Sequence, residues 1–250
     1  MNSKKVLTIA SILIGISIVG NGVLFFLDQS PFNLTNINHK ESISVSNIST
    51  IDIDSNTGDV TIVPYDGTNI EVQMKGTVEK KSENNFQLLV NEEISELTIS
   101  AREIRKVHLL SFHSGTYELV VKLPRKDYER LEVKAQVGNI NIDEQTVNQS
   151  NLTTRVGDIR VKNLQGRVYA TTEVGEINLQ LENILHDIVA TTEVGNVSVK
   201  TAEVPESLET DLNRSIGKQT VELPSDLGGG GPLVKLTTEV GNLSLGVDGW

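Results

Sequence analysis

No cysteine occurs in the 250 residues, so a disulfide framework, a thiolate metal site and a lipid-modified cysteine anchor are excluded. Basic residues are outnumbered 22 to 33, and the resulting net charge of −11 argues against nucleic acid or anionic lipid bound through a basic patch. A solvated acidic surface accounts for that charge, although it would also favour cations or cationic peptides. Helical periodicity is nearly absent beyond residue 27, where Asp127 to Arg130 offers at most one turn after Pro124. No metal constellation emerges from the four histidines: His39 and His186 stand alone, and His108 and His113 are five apart, a spacing that places two ligands on neither a helix face nor a strand face.

Charge is missing altogether from Val6 to Leu27. At about 1.5 Å per residue this run spans roughly 33 Å, enough for a bilayer core. Lys4 and Lys5 precede it and no basic residue follows until Lys40, so residues 1–5 are expected in the cytoplasm, 6–27 in the membrane and the rest outside. Without Lys4 and Lys5 the outer part carries −13. The rival is a cleaved signal peptide with a small-x-small site at Gly20-Asn21-Gly22, against which the apolar run continues through Val23 to Leu27.

What is abundant is one short pattern. Thr192-Glu193-Val194-Gly195-Asn196-Val197-Ser198-Val199 has close copies around Gly138, Gly157, Gly175 and Gly241, a degraded copy around Gly217 and an outlying early one around Gly58. Counting back from each glycine, the first, third, fifth and seventh positions are apolar or small; counting forward, the second and fourth are apolar. That is strand, corner, strand, with period two in each arm and a slip at a glycine followed by Asn, Asp or Glu, residue types suited to a bulge or corner. The glycines from Gly138 onward are 19, 18, 20, 22 and 24 residues apart, the period of a solenoid coil. The fold expected over 131–250 is therefore all-β, a right-handed parallel β-solenoid (β-helix) with coils of about 20 residues. Val137, Val156, Val174, Val194, Ile216 and Val240 would then form one buried ladder. A sandwich of antiparallel hairpins is the competitor.

Between span and repeats, residues 28–42 are polar and non-periodic and are expected to be a tether. Residues 43–130 hold short strand patterns at 50–53, 59–63, 70–78, 86–90, 97–101, 107–112 and 117–123, expected as a first coil with hairpin insertions that cap the solenoid. Pro205 to Leu208 and Pro224 to Pro232, with glycine at 228–231, are expected loops, and Trp250 is expected over the end of the core.

Chemistry has to lie on the outward columns. Two positions before each glycine stand Gln136, Arg155, Glu173, Glu193, Ser215 and Glu239, of which Arg155, Glu173, Glu193 and Glu239 are the candidate surface contacts. Arg155 beside Glu173 makes an opposite-charge ladder pair worth at most ~1 kcal/mol, and Glu173 over Glu193 a repulsive one. Stacked carboxylates could hold a divalent ion or flank a glycosidic bond, and Arg155, Asp158, Arg160 and Glu173 come nearest to a polysaccharide-cleaving cluster. A solvated outer face explains the same residues. Exposed Thr153, Thr171, Thr191, Thr237, Ser198 and Ser244 could contact glycans, or simply favour strands. Asn-x-Ser/Thr matches at Asn33, Asn47, Asn148, Asn151, Asn196, Asn213 and Asn242 are what such a composition yields by chance.

The Ile51-x-Ile53 strand before Gly58-Asp59-Val60, the stretch Leu119-Val120-Val121-Lys122-Leu123-Pro124 and the Val-Gly-(Asp/Asn/Glu)-Ile copies resemble the bacterial β-strand-repeat adhesin family, and the single amino-terminal span is most similar to its LiaG-like members. The resemblance covers about residues 45–250; Arg214 and Gln219 depart from it. It implies a parallel β-helical fold, a Gram-positive envelope setting, an operon responding to cell-wall antibiotics, and neither catalytic residues nor cofactors. Two functions follow: a non-enzymatic, membrane-anchored scaffold that binds an envelope component or protein, a class that includes an accessory presenting or hiding a sensor kinase, or a carbohydrate-active β-helix enzyme.

Overall fold

The computed structural model describes residues 3–27, 33–45, 47–104, 116–224 and 227–247. The expected strand at 107–112, His108, His113 and Trp250 lie outside them. Helix α1 (Ser3–Phe26) is long and apolar enough to cross a membrane, by length and composition. The strands, in chain order, are β1 (Leu34–Ser44), β2 (Thr50–Ser55), β3 (Asp59–Tyr65), β4 (Asn69–Glu79), β5 (Phe86–Glu92), β6 (Glu96–Glu103), β7 (Thr116–Pro124), β8 (Asp127–Val137), β9 (Ile140–Asp143), β10 (Thr146–Val156), β11 (Ile159–Lys162), β12 (Gln165–Val174), β13 (Ile177–Leu181), β14 (Ile188–Val194), β15 (Val197–Thr201), β16 (Ser207–Ile216), β17 (Gln219–Glu222), β18 (Gly228–Val240) and β19 (Leu243–Val247). A 3-10 turn, Lys80–Asn85, joins β4 to β5.

These strands form two facing walls. One sheet runs β1-β4-β7-β3-β9-β11-β13-β15-β19-β17, the other β16-β18-β14-β12-β10-β8-β2-β6-β5. From β2 and β3 to the far end every pairing is parallel, with register shifts only near the starts of β10 and β16, and the registers at the corners match, so each glycine corner stacks on the next. The chain is thus all-β, with a solenoid-like repeat. Between the walls, Ile53, Val133, Leu152, Ala170, Ala190 and Leu236 face Val60, Ile140, Ile159, Ile177, Val197 and Leu243, none more than 1% exposed. Burial of β-branched and aliphatic side chains on a period of two, repeated coil on coil, is the main stabilising term.

Several expectations are corrected. The tether does not reach residue 42: Leu34–Ser44 is an edge strand, antiparallel to β4, because Ile37 and Ile43 find buried places in the core. Asp127 to Arg130 opens β8 instead of making a helical turn, with Tyr128 buried and its hydroxyl donating to Pro124 O. The glycine run at 228–231 belongs to β18 and lies against β16, where a Cβ on Gly231 would stand 2.3 Å from Ser207 O.

The coil order differs from the chain order. The last coil, β18–β19, is inserted between β14–β15 and β16–β17, so the copy around Gly217 ends the stack. Polarity of the inward column explains this. The inserted coil offers Val234, Leu236, Thr238, Leu243 and Leu245, all buried, whereas the outer coil holds Thr210, Leu212, Arg214, Gln219 and Val221 in the matching register. A guanidinium and an amide stay in water only on the terminal coil, which therefore acts as a cap.

Candidate functional site

Each corner is built from three ladders. The glycine adopts positive φ, 150° at Gly195, and a Cβ there would stand 1.9 Å from Gly175 O of the neighbouring coil, so no side chain fits. Three residues earlier a buried threonine donates to the carbonyl of the adjacent glycine: Thr154 to Gly138, Thr172 to Gly157, Thr192 to Gly175 and Thr238 to Gly195, at 2.9–3.1 Å. One residue after the glycine, side-chain oxygens accept the N–H of the next corner, as from Asn139 to Asp59, Asp158 to Asn139, Glu176 to Asp158, Asn242 to Asn196 and Lys218 to Asn242. Among the described residues only Glu144 and Asn163 are non-glycines with positive φ, so Asn and Asp are used here as hydrogen-bond acceptors and the turn conformation is left to glycine.

The expected buried valine ladder is overturned. Val137, Val156, Val174, Val194 and Val240 are 45–51% exposed and Ile216 is 66% exposed. The chain bends between the inward threonine and the inward residue two past the glycine, and everything between them faces out. Stacking at about 4.8 Å still covers roughly half of each valine by its neighbours.

The candidate contacts occupy the column just before these valines. Arg155 Nε lies 3.5 Å from Glu173, with both side chains more than half exposed, while Glu193 and Glu239 follow in register. Arg160 instead pairs with Asp158 at 2.5 Å, across the corner on the other wall. Of Arg155, Asp158, Arg160 and Glu173, Arg160 alone lines the nearest hollow, so the four do not converge on one groove. Among the described residues no three carboxylate or histidine groups come together as metal ligands.

The concave surface lies on the outer face of the ten-stranded sheet, of which the sequence pattern had singled out only Arg160, Ser198 and Ser244. Its signal was present as the third and fifth positions after each glycine: Thr61, Asn141, Arg160 and Asn178 stack in register, beside Asp143 and Lys162. They line an open hollow of about 490 Å³. A second, of about 1040 Å³, lies where β1, β4 and β7 meet the first corners. There Gln73 Nε2 donates to Asn38 Oδ1 at 2.8 Å, Thr77 Oγ1 to Asn36 Oδ1 at 3.0 Å, and Lys75 pairs with Glu118 at 3.0 Å. Farther along the same face, hydrogen bonds from Lys122 and Tyr65 hold the Glu71 carboxyl below its ordinary range. Amides held by one bond keep further donors and acceptors free, so this face can meet a polar polymer without leaving groups unsatisfied.

The model of the Toastrack DUF4097 family matches residues 48–166 and 129–226. Among solved structures, a protein from Clostridium sporogenes provisionally named a cell adhesion protein is similar over 86% of this chain and all of its own, with a TM-score of 0.54 and 9% identity. One from Bacteroides fragilis, provisionally named an adhesin, is similar over 83% of this chain and 96% of its own, with a TM-score of 0.45 and 14% identity. No curated protein matches the chain. At 9% identity the likeness to the Clostridium sporogenes protein concerns the fold alone, and since the family model spans more than half of the sequence, this chain belongs to the Toastrack DUF4097 family.

Proposed function

We propose that this protein is a membrane-anchored, non-enzymatic binding or scaffold protein of the cell envelope, LiaG-like, with its amino terminus in the cytoplasm and its β domain outside. The observation that carries this reading is a long, polar, gently hollowed sheet face built on a rod whose first strand follows the apolar helix directly. Only residues 27–33 lie between α1 and β1, a reach of at most ~25 Å, and β1 is the outermost strand at one end of the stack. An uncleaved α1 therefore holds that end near the bilayer and presents the sheet face beside it. A right-handed winding with coils of about 20 residues, the sense favoured for parallel crossovers, is the geometry assigned.

The setting assigned is a Gram-positive envelope and its response to wall antibiotics. A carbohydrate-active enzyme would need its carboxylates and bases in one groove, and the separate ion pairs Arg155–Glu173 and Asp158–Arg160 weigh against it. The test is survival of bacteria lacking the gene under cationic-peptide and wall-antibiotic challenge, with a reporter of wall stress. The expected result is a changed threshold, restored equally by wild type and by an Arg155/Asp158/Glu173 triple-alanine variant. Unchanged thresholds under every challenge would refute the stress role, and failure of the triple variant alone would revive an enzyme.

A further inference from the structure

The exposed aliphatic ladder needs an explanation beyond the fold. A corner column that faces water would normally be polar, as the column just before it is. Instead Val137, Val156, Val174, Val194, Val240 and Ile216 align over five coil steps, about 24 Å, leaving a few hundred Å² of aliphatic surface in one line.

The charges beside it identify the occupant. In the coils of Gly175, Gly195 and Gly241, the valines 174, 194 and 240 are flanked by Glu173, Glu193 and Glu239, and Glu176 adds a fourth carboxylate past the corner. Arg155 bounds this stretch at one end and Lys218 at the other. Glu173 already meets Arg155, whereas Glu193 and Glu239 stand in register and repel one another, so a cation laid along them relieves that repulsion. A second copy of this chain would bring like charge against like charge, and an anionic lipid surface is repelled for the same reason.

Geometry narrows the class further. Coils repeat at about 4.8 Å and an α-helix advances about 5.4 Å per turn, so a helix lying along the stack keeps one turn over each coil with a drift of only ~1 Å across three coils. We propose that this corner is a docking surface for a basic amphipathic helix, whose aliphatic stripe rests on Val174, Val194 and Val240 and whose lysines or arginines meet Glu173, Glu193 and Glu239. The surface is separate from the hollowed sheet face, and the inference stands whether or not the envelope-stress reading holds.

The test uses the full chain in zwitterionic phosphatidylcholine nanodiscs, with empty discs as reference. The probe is a fluorescent lysine–leucine peptide about 18 residues long, amphipathic when helical. Saturable binding beyond that to empty discs is expected, weakening at least tenfold in a Glu193→Gln/Glu239→Gln variant and again as salt is raised. A Val194→Thr/Val240→Thr variant, nearly isosteric and so expected to fold, should lose binding to a similar degree. A lysine–serine peptide of equal charge should bind at least tenfold more weakly. Binding no better than to empty discs, or binding that neither pair of substitutions alters, overturns the proposal. Loss in the glutamate variant alone would reduce the surface to general acidity and overturn it too.

Discussion

Replacing Gly195 by alanine should remove a large part of the stability of the β domain. A Cβ at this position falls 1.9 Å from Gly175 O and 2.6 Å from Gly175 C, both backbone atoms that no side-chain rotation can move aside. Its φ of 150° lies in a region that L-residues enter at a cost of about 1–3 kcal/mol. Relieving the clash requires the two coils to part by more than 1 Å, which stretches the Thr192 Oγ1 bond to Gly175 O and the Gly175 N bond to Val194 O, now 3.1 and 3.0 Å. Each such bond is worth about 1 kcal/mol. Together the terms come to about 3–5 kcal/mol, against about 5–15 for an ordinary domain. Urea unfolding of the full chain, followed by far-ultraviolet dichroism, would measure it, with Gly229→Ala as control because a Cβ there meets nothing within 4 Å. The control should change stability by less than ~0.5 kcal/mol. A loss below ~1 kcal/mol at Gly195 would refute the close-stacking argument.

Two other outcomes follow from the same structure. Asp52 lies beside Glu132 in the nine-stranded sheet, and burial first, then the charge of Glu132, raises its carboxyl above the ordinary value. A raised folded value means stability that is present below the unfolded pKa and lost as pH climbs through the folded one. Asp52→Asn should therefore raise the melting temperature at pH 7 and leave it unchanged near pH 3, and equal melting curves at pH 7 would contradict this. In the cap coil, Arg214→Val with Gln219→Leu removes the guanidinium and the amide from the inward column, leaving Thr210 as its one polar member. Concentration-dependent oligomers in light scattering are expected, and a variant that stays in the wild-type state would show that column polarity does not close the stack.

Strand, corner and the positions of the conformationally special glycines were legible in the sequence because each depends on residues within one repeat: a period of two in either arm and a residue without Cβ between them. The inward Thr154, Thr172, Thr192 and Thr238 were placed correctly as small core residues, but their bonds to glycine carbonyls of the next coil were not visible, since the acceptor lies 15 or more residues away. The error at Val156 and its equivalents has a different origin. Alternation predicts facing only while the strand is straight, and at the corner two successive residues, Arg155 and Val156, both turn outward. Leu34–Ser44 read as polar tether because it has only two buried side chains, Ile37 and Ile43, and depends on β4, about 30 residues on, for its hydrogen bonds.

The sequence by itself determined the apolar helix, the repeat and the columns that could carry chemistry, since composition and local period settle each of these. Tertiary structure alone decided the order of the coils, the outward turn of the valines and the separate pairing of Arg160 with Asp158, whereas the Arg155–Glu173 ladder pair was legible from the repeat. Which coil lies inside is a competition between inward columns for the same position on β14 and β15, and no single repeat contains the outcome of a comparison with another.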